Sequence, residues 1–290
     1  MNFKTQIAVA SLALGLASGA HAAIATPGNS GEFVFSAFGN GYGYTFDLYD
    51  EGFADVLGSN VLMNSLIGTQ FNVGAVPDSP SGVTVSGGFK AGDVVFDMAL
   101  PGFDTFLSNA GSSDAVMWNL ISLDTSGIRR LIQTVAQTPT SMINDAALIN
   151  SINSMDIYNS AANTVMVDMG AADSYALTDS NQGAAYAGLW GGDFGGKGGL
   201  FNAASLDTEM DLYVLRSRGT GVNVNNFGAF GPLLGDDGNG LTAKVYLSDA
   251  GAYHLQLAVA VAPVPEPETY AMLLAGLGLV GFMARRRKLV

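Results

Sequence analysis

The sequence predicts a mainly β protein, built as an antiparallel β-sandwich or jelly-roll-like domain with one amphipathic helix. Short apolar runs alternate with polar residues, and Gly, Asn, Asp and Ser interrupt the chain at short intervals. Only one stretch has sustained helical spacing. Counting the alternating runs gives roughly nine or ten strands.

The first strands form a predicted hairpin. Phe33, Phe35 and Ala37 share one face of a strand, a turn follows at 39–41, and Tyr44 and Phe46 repeat the pattern. Further strands are expected at 69–73, 83–85, 93–100, 115–123, 128–136, 210–216, 241–248 and 252–262. A short helical turn is expected at 103–107.

One helix is predicted at 141–162. Met142, Ala146, Ile149 and Ile152 recur three or four residues apart, and Ser141 is the expected N-cap. This helix is expected to pack across an edge or open end of the sheet. The glycine-rich stretch 183–199 lacks the flanking strand and helix of a phosphate-binding loop, so we interpret it either as a flexible surface loop or as a place where backbones approach closely.

The amino terminus, residues 1–22, has the pattern of a signal peptide. Lys4 supplies a positive charge, an apolar run follows at 7–16, and Ala20 and Ala22 form an A-x-A cleavage site. We therefore expect cleavage before Ala23, which makes 23–263 the mature β-rich domain.

The carboxyl terminus, residues 264–290, has three parts. Val264, Pro265, Glu266 and Pro267 form a stiff extended segment. The apolar run 269–284 is a predicted transmembrane helix, roughly 24 Å long and slightly short for a bilayer core. The basic end 285–288 contains Arg285, Arg286, Arg287 and Lys288, which favour the cytoplasmic face of a membrane.

This tail resembles the PEP-CTERM sorting signal of Gram-negative bacteria, because VPEP, an apolar span and an arginine cluster follow one another. The signal-peptide pattern at 1–22 implies export through the inner membrane by Sec and removal of the leader by signal peptidase, and the apolar run with its basic end implies a transient C-terminal membrane anchor. The resemblance implies processing by an exosortase-like enzyme and delivery to the cell surface or the medium. Such proteins are common in bacteria that make exopolysaccharide. The body resembles a group of PEP-CTERM cargo proteins without an established activity.

The composition of the body, residues 23–263, limits the classes of partner that it can bind. The chain has 12 Lys+Arg and 25 Asp+Glu, and removing both end segments leaves 7 and 23, a net charge of −16. This acidity disfavours nucleic acid and anionic lipid as partners. The chain has no cysteine, which excludes thiol catalysis, thiolate metal sites and disulfides.

The sequence offers few candidate catalytic residues. His254 is the histidine that remains after leader removal, and it shares the polar face of its strand with Gln256, as an exposed strand histidine does. Carboxylates are plentiful, but their spacing does not identify the pair that a glycoside hydrolase needs. Asp236, Asp237 and Asn239 offer oxygen ligands for a structural calcium ion, and a plain turn is the competing interpretation. An EF-hand loop is excluded, because Leu247 stands where its twelfth residue, a glutamate, would be. No other cofactor is expected.

Two functional hypotheses follow. The first is a non-enzymatic surface or matrix protein, associated with exopolysaccharide, that contacts its ligand through aromatic groups. The candidate contacts are Tyr42, Tyr44, Trp190 and Phe194. The second hypothesis is a secreted carbohydrate-active enzyme that uses Asp or Glu carboxylates.

Overall fold

The computed structural model describes residues 24, 33–48, 82–85, 87–124, 130–136, 144–168, 175–190, 203–216, 229–261, 272–277 and 279–280. The chain divides into two compact units, Met1–Ala260 and Val261–Val290, and each is described by itself. The predicted leader at 1–22, the strand at 69–73 and the tail segments at 264–267 and 285–288 lie outside the described residues.

The first unit is mainly β, with short helices and one long one. The strands are β1 Phe33–Gly39, β2 Tyr42–Asp47, β3 Val83–Thr84, β4 Val94–Ala99, β5 Met117–Asp124, β6 Arg130–Val135, β7 Tyr175–Asp179, β8 Ala204–Ser205, β9 Met210–Arg216, β10 Ala229–Leu234, β11 Leu241–Leu247 and β12 Tyr253–Val259. The α-helices are α1 Phe103–Ala110, α2 Asp145–Asp168 and α3 Ala187–Trp190, and 3₁₀ turns lie at Ser113–Ala115 and Ser180–Ala185.

The described strands form one sheet, in the order β4-β12-β11-β9-β6-β5-β1-β2-β7. β10 pairs with β9 and β3, and β8 pairs with β5. The pairs are antiparallel except for the short parallel pair of β3 and β10. The mainly antiparallel class is therefore confirmed. The described strands do not, however, divide into the two stacked sheets of the expected sandwich or jelly roll.

The predicted hairpin is confirmed as β1 and β2. Phe35 pairs with Phe46 and Ala37 with Tyr44 across the two strands. Asn40 and Gly41 both have positive φ, 50° and 86°, as the tight two-residue turn requires. The alternating aromatic residues consequently all lie on one face of the sheet.

The contacts of Phe103 in α1 explain how a single sheet can enclose a hydrophobic core. The ring centroid of Phe103 lies 5.0 Å from that of Tyr44 in β2 and 5.4 Å from that of Tyr253 in β12. β2 and β12 are each second from an opposite edge of the sheet. A single ring touches both ends only if the sheet curves into a half-barrel, so the concave face encloses its own core without a second sheet.

The link between β4 and α1 also depends on close contact. Gly102 has φ 71°, and a Cβ atom at this position would lie 2.5 Å from the ring of Tyr175 in β7. Both the left-handed backbone and the lack of space require glycine here. Tyr44 contributes a second connection, because its hydroxyl donates to the carbonyl oxygen of Pro101 at 2.9 Å.

The predicted helix is present as α2, but it begins later and packs differently than expected. Asn144, not Ser141, caps it, since its Oδ1 accepts the N–H of Ala147 at 2.8 Å. The helix covers the outer face of the sheet instead of an edge or open end. Its buried residues are Leu148, Ile152, Met155, Tyr158, Ala162 and Met166. They pack against Val34, Ile121, Leu131, Val135, Ala176, Tyr213 and Leu215 on the sheet.

A buried polar network fastens α2 to the first hairpin. The hydroxyl of Tyr158 is hydrogen-bonded to the hydroxyls of Ser36, at 2.9 Å, and Thr45. Burial raises the pKa of Tyr158 to about 12, although both hydrogen bonds act in the opposite direction. The phenol is therefore neutral in the folded protein at ordinary pH.

Three of the described strands, β7, β8 and β10, were not predicted from the sequence. β8 consists of only two residues. β7 is short, and its central residues Ala176 and Leu177 carry little strand signal by themselves. β10 contains Gly231 and Pro232, which normally argue against a strand. It forms because β9 offers an antiparallel partner, with Pro232 opposite Tyr213.

The second unit has described helical residues at 272–277 and 279–280. Their large apolar side chains are between 60% and 75% exposed. In the part of the chain that the structure describes, no helix has both the length and the apolar character needed to span a bilayer. The transmembrane helix expected at 269–284 stays a prediction.

Replacing Phe103 should strongly destabilise the body. Phe103→Ala is expected to lower the free energy of unfolding by about 3–5 kcal/mol, because it leaves a cavity where both ends of the sheet meet. Thr105→Ala, an exposed position of the same helix, should change it by less than about 0.5 kcal/mol. Urea denaturation measures both, and equal effects would show that Phe103 does not close the sheet.

Alkaline pH should loosen α2 through Tyr158. A raised folded-state pKa means that this stabilisation is complete below about pH 10 and is lost as pH rises toward 12. Tyr158→Phe should reduce that loss, while it costs about 1–3 kcal/mol at neutral pH because Ser36 and Thr45 lose a partner.

Tyr42→Phe, at a position 38% exposed, is the matched control. Denaturation curves at pH 8 and pH 11 should show the steeper loss in the wild type and in this control. An equal loss in all three proteins would contradict the role of Tyr158.

Candidate functional site

The outer face of the sheet is divided into a covered part and an open part. The buried cluster under α2 draws its sheet residues from β1, β5, β6, β7 and β9. Within the described ranges, none of its residues comes from β4, β11 or β12. On these three strands the outward positions include five partly exposed polar side chains.

These five side chains form what we call the Asp97 patch: Asp97 on β4, Lys244 and Tyr246 on β11, and His254 and Gln256 on β12. Strand register places them side by side. Gln256 lies opposite both Asp97 and Lys244, and His254 lies opposite Tyr246. Because strands are about 4.8 Å apart, the patch is about 10 Å wide across the three strands.

The carboxylate of Asp97 is the centre of the patch. Its Oδ2 accepts hydrogen bonds from the Tyr246 hydroxyl, at 2.7 Å, and from Nε2 of Gln256, at 2.6 Å. Its Oδ1 lies 2.8 Å from Nδ1 of His254. A carboxylate only accepts, so His254 donates through Nδ1 and is oriented with Nε2 free to meet a ligand.

Two aromatic rings and one cation complete the surface. The Tyr246 ring centroid lies 5.5 Å from the His254 ring, and Nζ of Lys244 lies 5.4 Å from the Tyr246 ring. Partial burial, followed by the hydrogen bond to Asp97 and the charges of Asp97 and Asp249, raises the pKa of Tyr246 to about 12. Tyr246 therefore remains a donor to Asp97 at neutral pH.

The carboxylate of Asp97 fixes the positions of its neighbours. Its two oxygens accept hydrogen bonds from Tyr246, His254 and Gln256, and these bonds hold the three donor side chains in place. The side chains of Asp97 and His254 are still 29% and 26% exposed. The patch thus presents fixed polar groups and an aromatic ring to the solvent. The carboxylate-based enzyme stays a prediction.

The aromatic candidates from the sequence do not gather at one site. Tyr44 is fully buried and packs in the concave core, so it does not face a ligand. Trp190 packs against the core under α2, and its Nε1 donates to the carbonyl of Ala184 at 2.9 Å. Tyr42, at the start of β2, is 38% exposed. Phe194 lies outside the described residues.

The acidic turn between β10 and β11 ties two loops together. Oδ2 of Asp237 accepts the N–H of Ala91 at 2.7 Å, and its Oδ1 accepts the N–H of Asn239 at 3.2 Å. The hydrogen bond from Ala91 is the main reason that the pKa of Asp237 is lowered. The N–H of Asp236 donates to the carbonyl of Phe89 at 2.7 Å. These bonds fit the turn interpretation, and a calcium ion at Asp236, Asp237 and Asn239 stays a prediction.

The described residues hold no group of three or more His, Asp or Glu side chains placed to bind a metal ion. Sequence reasoning considered His254 and Gln256 but missed Asp97, Lys244 and Tyr246. Their shared signal is a polar residue at an outward position of a strand, which many surface strands show. Only the pairing of β4 with β12 makes a cluster of them.

Comparison with known proteins identifies the tail. The family model of the PEP-CTERM protein-sorting motif matches residues 263–288. No curated protein and no solved structure matches the chain. The match begins four residues after the last residue of β12, Val259, and so covers the segment that follows the sheet. The chain therefore carries a PEP-CTERM sorting motif at its carboxyl end, which implies processing by an exosortase-like enzyme and export toward the cell surface.

Proposed function

We propose that the protein is a non-enzymatic cell-surface or matrix protein that binds uncharged exopolysaccharide through the Asp97 patch. The observation that carries this proposal is that one carboxylate fixes three side chains on an open sheet face. Fixed groups lose little conformational entropy on binding, so weak individual hydrogen bonds suffice for recognition. The sorting motif supports the proposal, since it implies delivery toward the cell surface, where a domain could meet a secreted polysaccharide.

The chemistry of the patch matches a hydroxyl-rich ligand. Lys244 donates, Nε2 of His254 accepts in its neutral form, and the amide of Gln256 retains an acceptor oxygen. Sugar hydroxyls can both donate and accept, so they can form a hydrogen bond with each of these groups. The Tyr246 ring adds an apolar surface for the C–H face of a sugar ring.

The shape and the charge of the domain further limit the class of ligand that it can bind. The patch lies on the outer, convex face of the curved sheet, which favours an extended polymer over a small molecule, because a small molecule usually needs a concave pocket. The net charge of −16 for the body repels polyanions such as uronate-rich chains. We therefore favour a neutral polysaccharide.

Binding should depend on Asp97. Asp97→Asn is expected to weaken binding to the neutral polysaccharide fraction of the producing cell by about tenfold or more, because an amide replaces one acceptor oxygen with a donor. Affinity electrophoresis with that fraction, with a soluble neutral glucan and with polygalacturonate measures the effect. The same gels report turnover of the polymer.

Asp104→Asn, the same chemical change at an exposed position of α1, is the control and should bind like the wild type. Unchanged binding of Asp97→Asn would contradict the proposal. Tight binding to polygalacturonate would contradict the neutral ligand, and shortening of the polymer by the wild type would favour the alternative, a secreted carbohydrate-active enzyme.

Processing should depend on the VPEP segment. Protein recovered from the surface or medium of the producing cell is expected to begin at Ala23 and to end near Pro265, by mass spectrometry. Glu266→Ala should leave unprocessed chain in the membrane fraction, because it removes the charged residue of the motif. Glu268→Ala, two residues further on, is the matched control. Released protein that retains Arg287 would contradict this route.

A further inference from the structure

Ile24 is built into the body of the domain although it lies close to the predicted leader. Its side chain is 1% exposed and belongs to the buried cluster under α2, together with Tyr158 and Ala162. Its backbone N–H donates to Oδ1 of Asn163 at 2.8 Å, and Nδ2 of Asn163 donates to its carbonyl oxygen at 2.8 Å. These partners are 139 residues apart in the chain.

One asparagine side chain thus satisfies both main-chain groups of one residue. An adjacent strand would satisfy an extended backbone in a similar way, but here a helix supplies the partner. The hydrogen bonds recognise the backbone, whereas the apolar cluster recognises the side chain. Their combination defines a receptor site on α2 for one specific residue of the chain.

The position of that residue relates the site to export. The sequence predicts cleavage before Ala23, so Ile24 becomes the second residue of the mature chain. We infer that α2 carries a receptor site for the mature amino terminus, and that Ile24 fills this site after the leader has been removed. This inference rests on the predicted cleavage point and is independent of polysaccharide binding.

Accessibility determines the order of the two events. A peptidase must hold the residues on both sides of the scissile bond, and Ile24 is only two residues after that bond. With its side chain buried and both backbone groups bonded, Ile24 cannot occupy a protease cleft at the same time. Cleavage therefore comes first, and docking of Ile24 then completes the packing between α2 and the sheet.

The site also fixes where the mature chain begins. A cut after Ala22 leaves one residue, Ala23, in front of the docked position. A cut two or more residues further along would remove Ile24 and leave Oδ1 and Nδ2 of Asn163 without these partners. The inference therefore requires a mature protein that begins at Ala23 or at Ile24, and recovery of an uncleaved chain would also contradict it.

The test uses the full precursor, exported and recovered from the medium or the cell surface. Sequencing of the wild-type amino terminus should give Ala23, and the Ile24 amide should be protected from hydrogen exchange. Ile24→Ala and Asn163→Leu should each lower Tm by about 5–15 °C, the range that loss of a buried Ile side chain implies for a domain of this size.

A double-mutant cycle tests whether Ile24 and Asn163 stabilise the domain through one shared contact or through two independent ones. If Ile24 and Asn163 form one contact, the double variant should lower Tm by clearly less than the sum of the single effects. Thr164→Ala, an exposed neighbour on α2, is the matched control and should leave Tm within about 1 °C. Ile24→Val, which keeps most of the side chain, should be recovered even if Ile24→Ala fails to fold.

Four results would overturn the inference. They are a mature chain that begins after Ile24, recovery of an uncleaved chain, additive effects of the two substitutions, and an Ile24 amide that exchanges as fast in the wild type as in Asn163→Leu. A failure of polysaccharide binding would not affect it, because the Asp97 patch lies on strands that the Ile24 cluster does not include.

Discussion

Closure of one curved sheet around an aromatic core is the constraint on which the rest of the body depends. Phe103 contacts Tyr44 near one edge and Tyr253 near the other, and the inner side chains of the strands fill the space between. A chain without cysteine must gain its stability from such packing. Once the inner face is used in this way, only the outer face remains for other tasks.

The outer face is shared between stability and recognition. α2 covers the strands in the middle and at the β7 end, where Tyr158 and the buried apolar side chains hold it. β11, β12 and β4 keep their outward polar residues, and Asp97 organises them. The same carboxylate would be costly in an apolar environment, but partly exposed and with three donors it is well accommodated. The fold thus explains why a polar cluster is found at this end of the sheet.

The two ends of the chain are related to the fold in different ways. The carboxyl end carries the sorting motif at 263–288, which follows β12 after a few residues. Near the amino end, Ile24 packs into the body, where Asn163 binds its backbone. In the processing order that we propose, the first cut allows the domain to complete its packing, and the tail directs the folded domain to the surface.

The sequence by itself determined the features that are local. Apolar runs and alternating residues predicted β1, β2, β3, β4, β5, β6, β9, β11 and β12, and the VPEP and arginine segments identified the sorting motif. The helical period found α2, but its start was misplaced because Asn144 and Ser141 are equally good caps by composition. Tyr44 was judged accessible because alternation shows that residues share a face, not which face is buried.

The tertiary structure alone decided the features that join distant residues. Asp97 and His254 are 157 residues apart, and they meet because β4 pairs with β12. That pairing depends on how the whole inner core packs, and no local pattern of residues encodes it. The same reason explains why one curved sheet replaces the expected sandwich, and why Ile24 finds its partner on a helix far along the chain.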